Sequence, residues 1–139
     1  MIETTIPEFF QKFTMQRVCS TDLDAALAEE AAALSILFLW GHDCPNCDMT
    51  KRAILNSAER LRWPEVRWLH GNAYEEPELA TRFGLHGIPA FLVFRGARRL
   101  GRITPWPGAD AFGTAIEKQI AELARGDRKT LSAPQWPET

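Results

Sequence analysis

Two cysteines separated by two residues, Cys44 and Cys47, stand in the run Trp40-Gly41-His42-Asp43-Cys44-Pro45-Asn46-Cys47. A nearly all-apolar stretch, Leu34 to Trp40, precedes them, and a helical pattern opens at Cys44 with Pro45 in its first turn, where a missing N–H costs little. A thiol at such a helix N-terminus faces unpaired N–H groups and the positive end of the helix dipole, which lowers its pKa below the free value of ~8.5. Cys44 is thereby predicted to be a nucleophile near neutral pH. Cys47, one turn further on, lies within reach of a mixed disulfide on Cys44 and is predicted to resolve it, releasing a reduced substrate. Two other readings fit the same residues: a pair of inert core cysteines, or metal ligands. A closed zinc site needs four ligands, and His42 alone lies near enough in sequence to add to the pair, so no metal is expected. The third cysteine, Cys19, reads as a small core residue on a strand.

The elements that must position the pair follow from hydrophobic spacing and punctuation. Phe9, Phe10 and Phe13 predict a short N-terminal helix, and Met15 to Cys19 a strand. Ser20-Thr21-Asp22 offers caps for a helix through Ala33. Leu34 to Trp40 has the composition of a central strand covered on both faces. A helix from Cys44 to about Leu61, a strand from Val66 to Leu69 and a short helix from Glu76 to Phe83, ended by Gly84, come next. Ala90 to Phe94 and Arg98 to Ile103 flank Gly96 as a hairpin, and about Ala111 to Ala124 forms a last helix. The fold class is α/β, a central mixed β-sheet flanked by helices on both faces. Residues 1–14 are expected to form a helical extension, 15–125 the domain, and 126–139, with Pro134 and Pro137, an extended or disordered tail.

With 139 residues, one core is expected. Sixteen Lys and Arg against eighteen Asp and Glu leave a formal charge of −2, without the basic excess that nucleic-acid backbones attract. The longest apolar run is about half the ~20 residues that span a bilayer, so no membrane association is expected. Met1 to Thr5 lacks the pattern of a secretory signal, which predicts a cytoplasmic location. In a reducing compartment a close cysteine pair points to redox work or metal rather than to a structural staple. Arg95, Arg98, Arg99 and Arg102 read as a charged edge strand, with docking of an acidic partner as the alternative. Trp40 reads as both packing and active-site wall, and Trp63 and Trp68 as packing; Trp136 in the tail is left open between folding onto the domain and onto another protein.

Taken with Gly87-Ile88-Pro89 leading into the Ala-Phe-Leu-Val-Phe strand some forty residues after the pair, these motifs resemble the thioredoxin family. The resemblance runs from roughly Arg17 to Leu123 and includes the Asn72 to Gly84 stretch and the closing helix. It implies a thioredoxin-like fold and a thiol-disulfide oxidoreductase whose only redox group is a Cys44–Cys47 disulfide, with no other cofactor. It also implies a cis Pro89 facing the pair, with the Ile88 backbone and Pro89 docking an extended protein substrate beside Trp40. The implied partners are protein disulfides and a thiol or reductase that supplies electrons.

The chain departs from the family pattern at several positions. Pro45-Asn46 replaces the usual Gly-Pro, and Asp43 and Asp48 flank the pair where Trp and Lys are usual. Two nearby carboxylates oppose a thiolate. Phe38 stands where the family has a buried Asp, and His70 where that acid has a Lys partner. His70, or His42 through water, is therefore expected to accept the Cys47 proton, because imidazole titrates near neutral pH. Pro105-Trp106 replaces a small Gly-Ala loop, predicting a groove reshaped by Trp106. His86 is left without a role. The alternative function is a thioredoxin-fold assembly chaperone or adaptor with weak or no redox activity.

Overall fold

A computed structural model describes residues 8–29 and 34–124. The elements run α1 (Phe9–Lys12), β1 (Gln16–Arg17), α2 (Leu23–Ala28), β2 (Leu34–Trp40), α3 (Pro45–Asn56), a 3₁₀ turn (Ala58–Leu61), β3 (Val66–Asn72), α4 (Pro77–Arg82), β4 (Ala90–Arg95), β5 (Arg98–Ile103) and α5 (Ala109–Ala124). The five strands form one sheet in the order β1-β3-β2-β4-β5. Strands β1, β2 and β3 run parallel, while β4 is antiparallel to β2 and to β5.

Strand β2 sits in the middle and is buried along its whole length, as its apolar composition predicts. Side chains alternate across a strand, so β2 feeds two cores. Ile36, Phe38 and Trp40 join Phe9 of α1 and Phe13 just after it, Ile54 of α3 and Phe112 and Ile116 of α5 on one face. Leu37 and Leu39 join Leu23 and Leu27 of α2 and Leu79 of α4 on the other. Strand β4 repeats the division, with Phe91 and Val93 on the first face and Leu92 and Phe94 on the second. The core on the α1 side is aromatic-rich, and there Phe38 stacks on Phe91 with ring centroids 5.0 Å apart.

Several boundaries differ from the sequence expectation, each for a visible reason. The strand expected over 15–19 shrinks to two residues because the Asp22 carboxylate accepts the Cys19 N–H at 2.7 Å and pulls the chain out of the ladder. Cys19 is half-buried rather than in the core, with its Sγ 3.3 Å from Asp22 Oδ2. Helix α2 stops at Ala28, since Glu29 is extended, and the expected continuation to Ala33 reaches residues outside those described. The long helix expected to Leu61 ends at Asn56, where Ser57 leaves helical geometry and its N–H is shared between the carbonyls of Ala53 and Ile54. Strand β3 runs to Asn72 because it pairs with β2 in register up to Trp40, which carries His70-Gly71-Asn72 along. Gly84, with φ +62°, closes α4 as predicted. The expected tail and the first seven residues lie outside the description, but Phe9 and Phe13 place α1 within the core. No helix among the described residues is long and apolar enough to cross a membrane.

Candidate active site

Cys44 caps the N-terminus of α3, with Pro45 in its first turn. Its Sγ accepts the backbone N–H of Cys47 at 3.1 Å, and its carbonyl accepts the N–H of Asp48 at 3.0 Å. Cys44 and Cys47 are joined as a disulfide with Cα atoms 5.2 Å apart. Cys44 is 8% exposed and Cys47 fully buried, so Cys44 is the sulfur nearer to solvent. Asp43 holds the turn into the helix with φ +52°, a left-handed conformation that aspartate tolerates better than most residues.

Opposite the disulfide, the Ile88–Pro89 peptide is cis and the Ile88 carbonyl oxygen lies 3.9 Å from Cys44 Sγ. Thr104 donates its hydroxyl to the Pro89 carbonyl at 2.9 Å, tying this loop to the segment after β5, where Thr104–Pro105 is also cis. A groove of about 460 Å³ opens beside Cys44. Asp43 to Asn46 form one wall, Ala73 and Tyr74 another, and Leu85 to Ile88 a third. Tyr74 is 59% exposed, and its ring packs against Gly41 so closely that a Cβ there would sit 2.8 Å from both Tyr74 and Ile88 side-chain atoms.

Of the four positions expected to meet substrate, Ile88 lines the groove, while Trp40, Pro89 and Trp106 do not. Trp40 is turned into the core face, and Trp106 tilts against Phe91 and Phe112 with centroids 5.5 and 5.2 Å away. Packing against these rings buries Trp40 and half-buries Trp106, and the apolar area so covered favours both placements. His86 lines the groove and is exposed. Trp63 and Trp68 serve packing, donating their indole N–H groups to Glu117 and to the Leu61 carbonyl. Arg98 and Arg99 lie exposed on β5, an outer strand of the sheet.

The two histidines differ sharply. His70 is 6% exposed, its Nδ1 accepts the Trp40 indole N–H at 3.1 Å, and Phe10 stacks on its ring with centroids 3.8 Å apart. Burial, with the positive charges of Arg17 and Lys51 adding to it, lowers its pKa to about 4. The premise of an imidazole titrating near neutrality at position 70 is thus corrected: His70 is neutral, and one of its ring nitrogens is already engaged. His42 is the more exposed of the two, its Nε2 lying 3.0 Å from Asn72 Nδ2 and 3.1 Å from Glu75 Oε2. Asn72 Oδ1 accepts the N–H groups of Tyr74 and Glu75, so its amide nitrogen is the side turned to His42. Hydrogen bonds from His42 and Arg17 hold the Glu75 carboxyl below its usual range. Nδ1 of His42 is buried without a hydrogen-bond partner among the described residues.

Sequence reasoning passed over Lys51, 2% exposed on α3 with its Nζ 3.8 Å from the centre of the Trp40 ring. A lysine on a helix reads as solvated, and only its spacing from Cys47 carried a signal. No group of three or more His, Cys, Asp or Glu side chains suited to a metal ion occurs among the described residues.

No family model matches the chain, and no curated protein matches it. Solved structures do. An asparagine-to-glutamine mutant of thioredoxin from Halobacterium salinarum superposes with a TM-score of 0.61 at 19% identity, covering 74% of this chain and 88% of that one. Mitochondrial thioredoxin 3 from Saccharomyces cerevisiae, in its oxidized form, gives 0.59 at 18% identity over 80% of this chain and 97% of the other. Thioredoxin from Trypanosoma brucei brucei gives 0.59 at 17% identity over 82% and 94%. The chain has the thioredoxin fold, with its Cys-x-x-Cys pair at the opening of the helix that follows the central strand.

Proposed function

We propose that this protein is a thiol-disulfide oxidoreductase that exchanges disulfides in other proteins through Cys44 and Cys47. The observation that carries the reading is Cys44 at the cap of α3, its sulfur accepting a helix N–H and facing the Ile88 carbonyl beside an open groove. A thiolate there gains from the N–H groups of the first turn. In the reduced protein it attacks a substrate sulfur, forming a mixed disulfide and expelling the other substrate sulfur as a thiolate that takes up a proton. Cys47 then attacks Cys44, regenerating the internal disulfide and freeing the second substrate thiol. An extended substrate segment lies along the Leu85 to Ile88 wall, with the Ile88 backbone offering hydrogen bonds. Electrons return from a thiol or a reductase, no further cofactor takes part, and the reaction belongs in a reducing compartment such as the cytoplasm.

The test is reduction of insulin disulfides by dithiothreitol with catalytic amounts of protein. The native chain is expected to accelerate precipitation of the insulin B chain, and Cys44→Ser to return the rate to that of dithiothreitol alone. Equal rates for both would remove the enzyme reading and leave the adaptor.

A further inference from the structure

Resolution requires Cys47, a fully buried thiol, to become a thiolate, and burial opposes that charge. The helix cap favours Cys44, whose sulfur takes the Cys47 N–H, rather than Cys47 itself. Among the described residues, the buried side chains that ionise, cysteines apart, are Lys51, His70 and Glu122. Glu122 lies near the end of α5. His70 carries no charge at neutral pH. Lys51 is four residues after Cys47, one helical turn along the same face, where side chains stand roughly 5–6 Å apart at Cβ.

Both residues turn toward the same core: Cys47 belongs to the cluster with Phe9 and Trp40, and the Lys51 ammonium lies over those two rings and over Phe10. Ring faces at 3.8, 5.3 and 5.9 Å stabilise an ammonium there and offset part of what burial costs that charge. Resting on the redox reading above, we propose that Lys51 is a positioning residue for the resolving step, its ammonium supplying the counter-charge for the Cys47 thiolate. Phe38 fills the adjacent β2 position with a ring, so the charge that assists the buried sulfur comes from the helix rather than from the sheet.

The step balances within the pair. Cys47 releases its proton to solvent, its thiolate forms a bond to Cys44 Sγ, and the bond from Cys44 to the substrate sulfur breaks. The electron pair leaves on the substrate sulfur, which is then protonated, while Lys51 stays charged throughout. Of the other titratable and charged groups nearby, Arg17 and Lys51 act on His70, Arg17 and His42 bind Glu75, and Asp43 and Asp48 flank the pair on its own segment. Glu8, at the cap of α1, and Lys12 pair with each other at 3.6 Å on the solvent side. The two aspartates oppose the thiolate, which makes a nearby cation the more necessary.

The experiment isolates Cys47 in a Cys19→Ser, Cys44→Ser background and follows thiolate absorbance at 240 nm against pH, with Lys51 native, as Lys51→Met and as Lys51→Arg. Lys51→Met is expected to raise the Cys47 inflection by about one unit or more, roughly tenfold less thiolate at neutral pH, and Lys51→Arg to restore most of it. An unchanged inflection in a folded Lys51→Met protein would overturn the proposal. A second measurement needs no variant: the native reduced chain is treated with one equivalent of Ellman reagent, and the rate at which Cys47 displaces thionitrobenzoate from Cys44 is followed against pH. An inflection below the free-thiol value of ~8.5 is expected, and one at or above it refutes the assignment. Insulin reduction by a chain whose Cys47 ignores Lys51 would sink only this inference, whereas no insulin reduction with an intact Lys51 effect would sink the proposed function.

Discussion

Trp40 and His70 share a hydrogen bond beneath the Phe10 ring, and that contact decides what the imidazole can do. A histidine in water titrates near 6.5, whereas this one resists protonation until about 4 because a charge there would be desolvated and would face Arg17 and Lys51. Between those values the unfolded chain binds a proton that the folded chain refuses. Stability from this group is therefore complete above about pH 6.5 and is lost as pH falls toward 4. Urea unfolding at pH 7 and at pH 4.5 checks this: the native chain is expected to lose more stability over the interval than His70→Phe, which cannot titrate. Parallel losses would show that another group sets the acid limit. The expected strand stopped at Leu69, and only the family resemblance set His70 against Phe38; the register of β2 with β3 pairs the two residues directly. Its proton affinity depends on Phe10 from a helix sixty residues earlier, which no local pattern announces.

At the scale of elements, α5 and the 3₁₀ turn after α3 meet through Arg60, which pairs with Glu117 and lies across Gly113. A Cβ at position 113 would approach the Arg60 guanidinium to 2.5 Å, but the clash is with the end of a flexible side chain. Replacing a helical glycine by alanine gains about 0.8–1 kcal/mol. A partly exposed ion pair displaced in exchange is worth about 0–1 kcal/mol. Gly113→Ala is accordingly expected to leave the unfolding free energy within about 0.5 kcal/mol of native, to be read from denaturant midpoints. A loss of several kcal/mol would mean that the backbone, not Arg60, fills the space. The hydrophobic spacing of α5, with Phe112, Ile116, Ile120 and Leu123, was sufficient to place this helix within two residues of its observed start. The break at Ser57 was not legible, because the 3₁₀ turn carries Leu61 into the core with the same apolar pattern a longer helix would show.

For the molecule as a whole, α1 is a structural member of the face that carries the cysteines. Phe9 has no exposed surface and lies edge-on to Phe38, with ring centroids 6.3 Å apart, while Phe13 meets Trp68 edge-on at 5.2 Å. Phe9→Ala is expected to destabilise the fold by about 3–5 kcal/mol, the range for truncating a fully buried phenylalanine. Thermal unfolding checks it, and a change under 1 kcal/mol would show that the helix is a detachable extension. The spacing of Phe9, Phe10 and Phe13 pointed to a short helix laid on the core, but not to which of the two cores it joins.

The residue order alone was enough for the α/β class, for the buried middle strand and for a cysteine pair that opens a helix, whereas the Ile88-Pro89 loop facing that pair was implied only by the family resemblance. These features are written within a few residues of one another, in alternation, caps and spacing. Tertiary packing alone decided that Trp40 and Trp106 turn inward, that His70 stays neutral, and that a lysine one turn past Cys47 is stripped of water beneath three aromatic rings. Proton affinity and exposure depend on the dielectric and the charges around a group, and those are contributed by segments that meet only after the chain has folded.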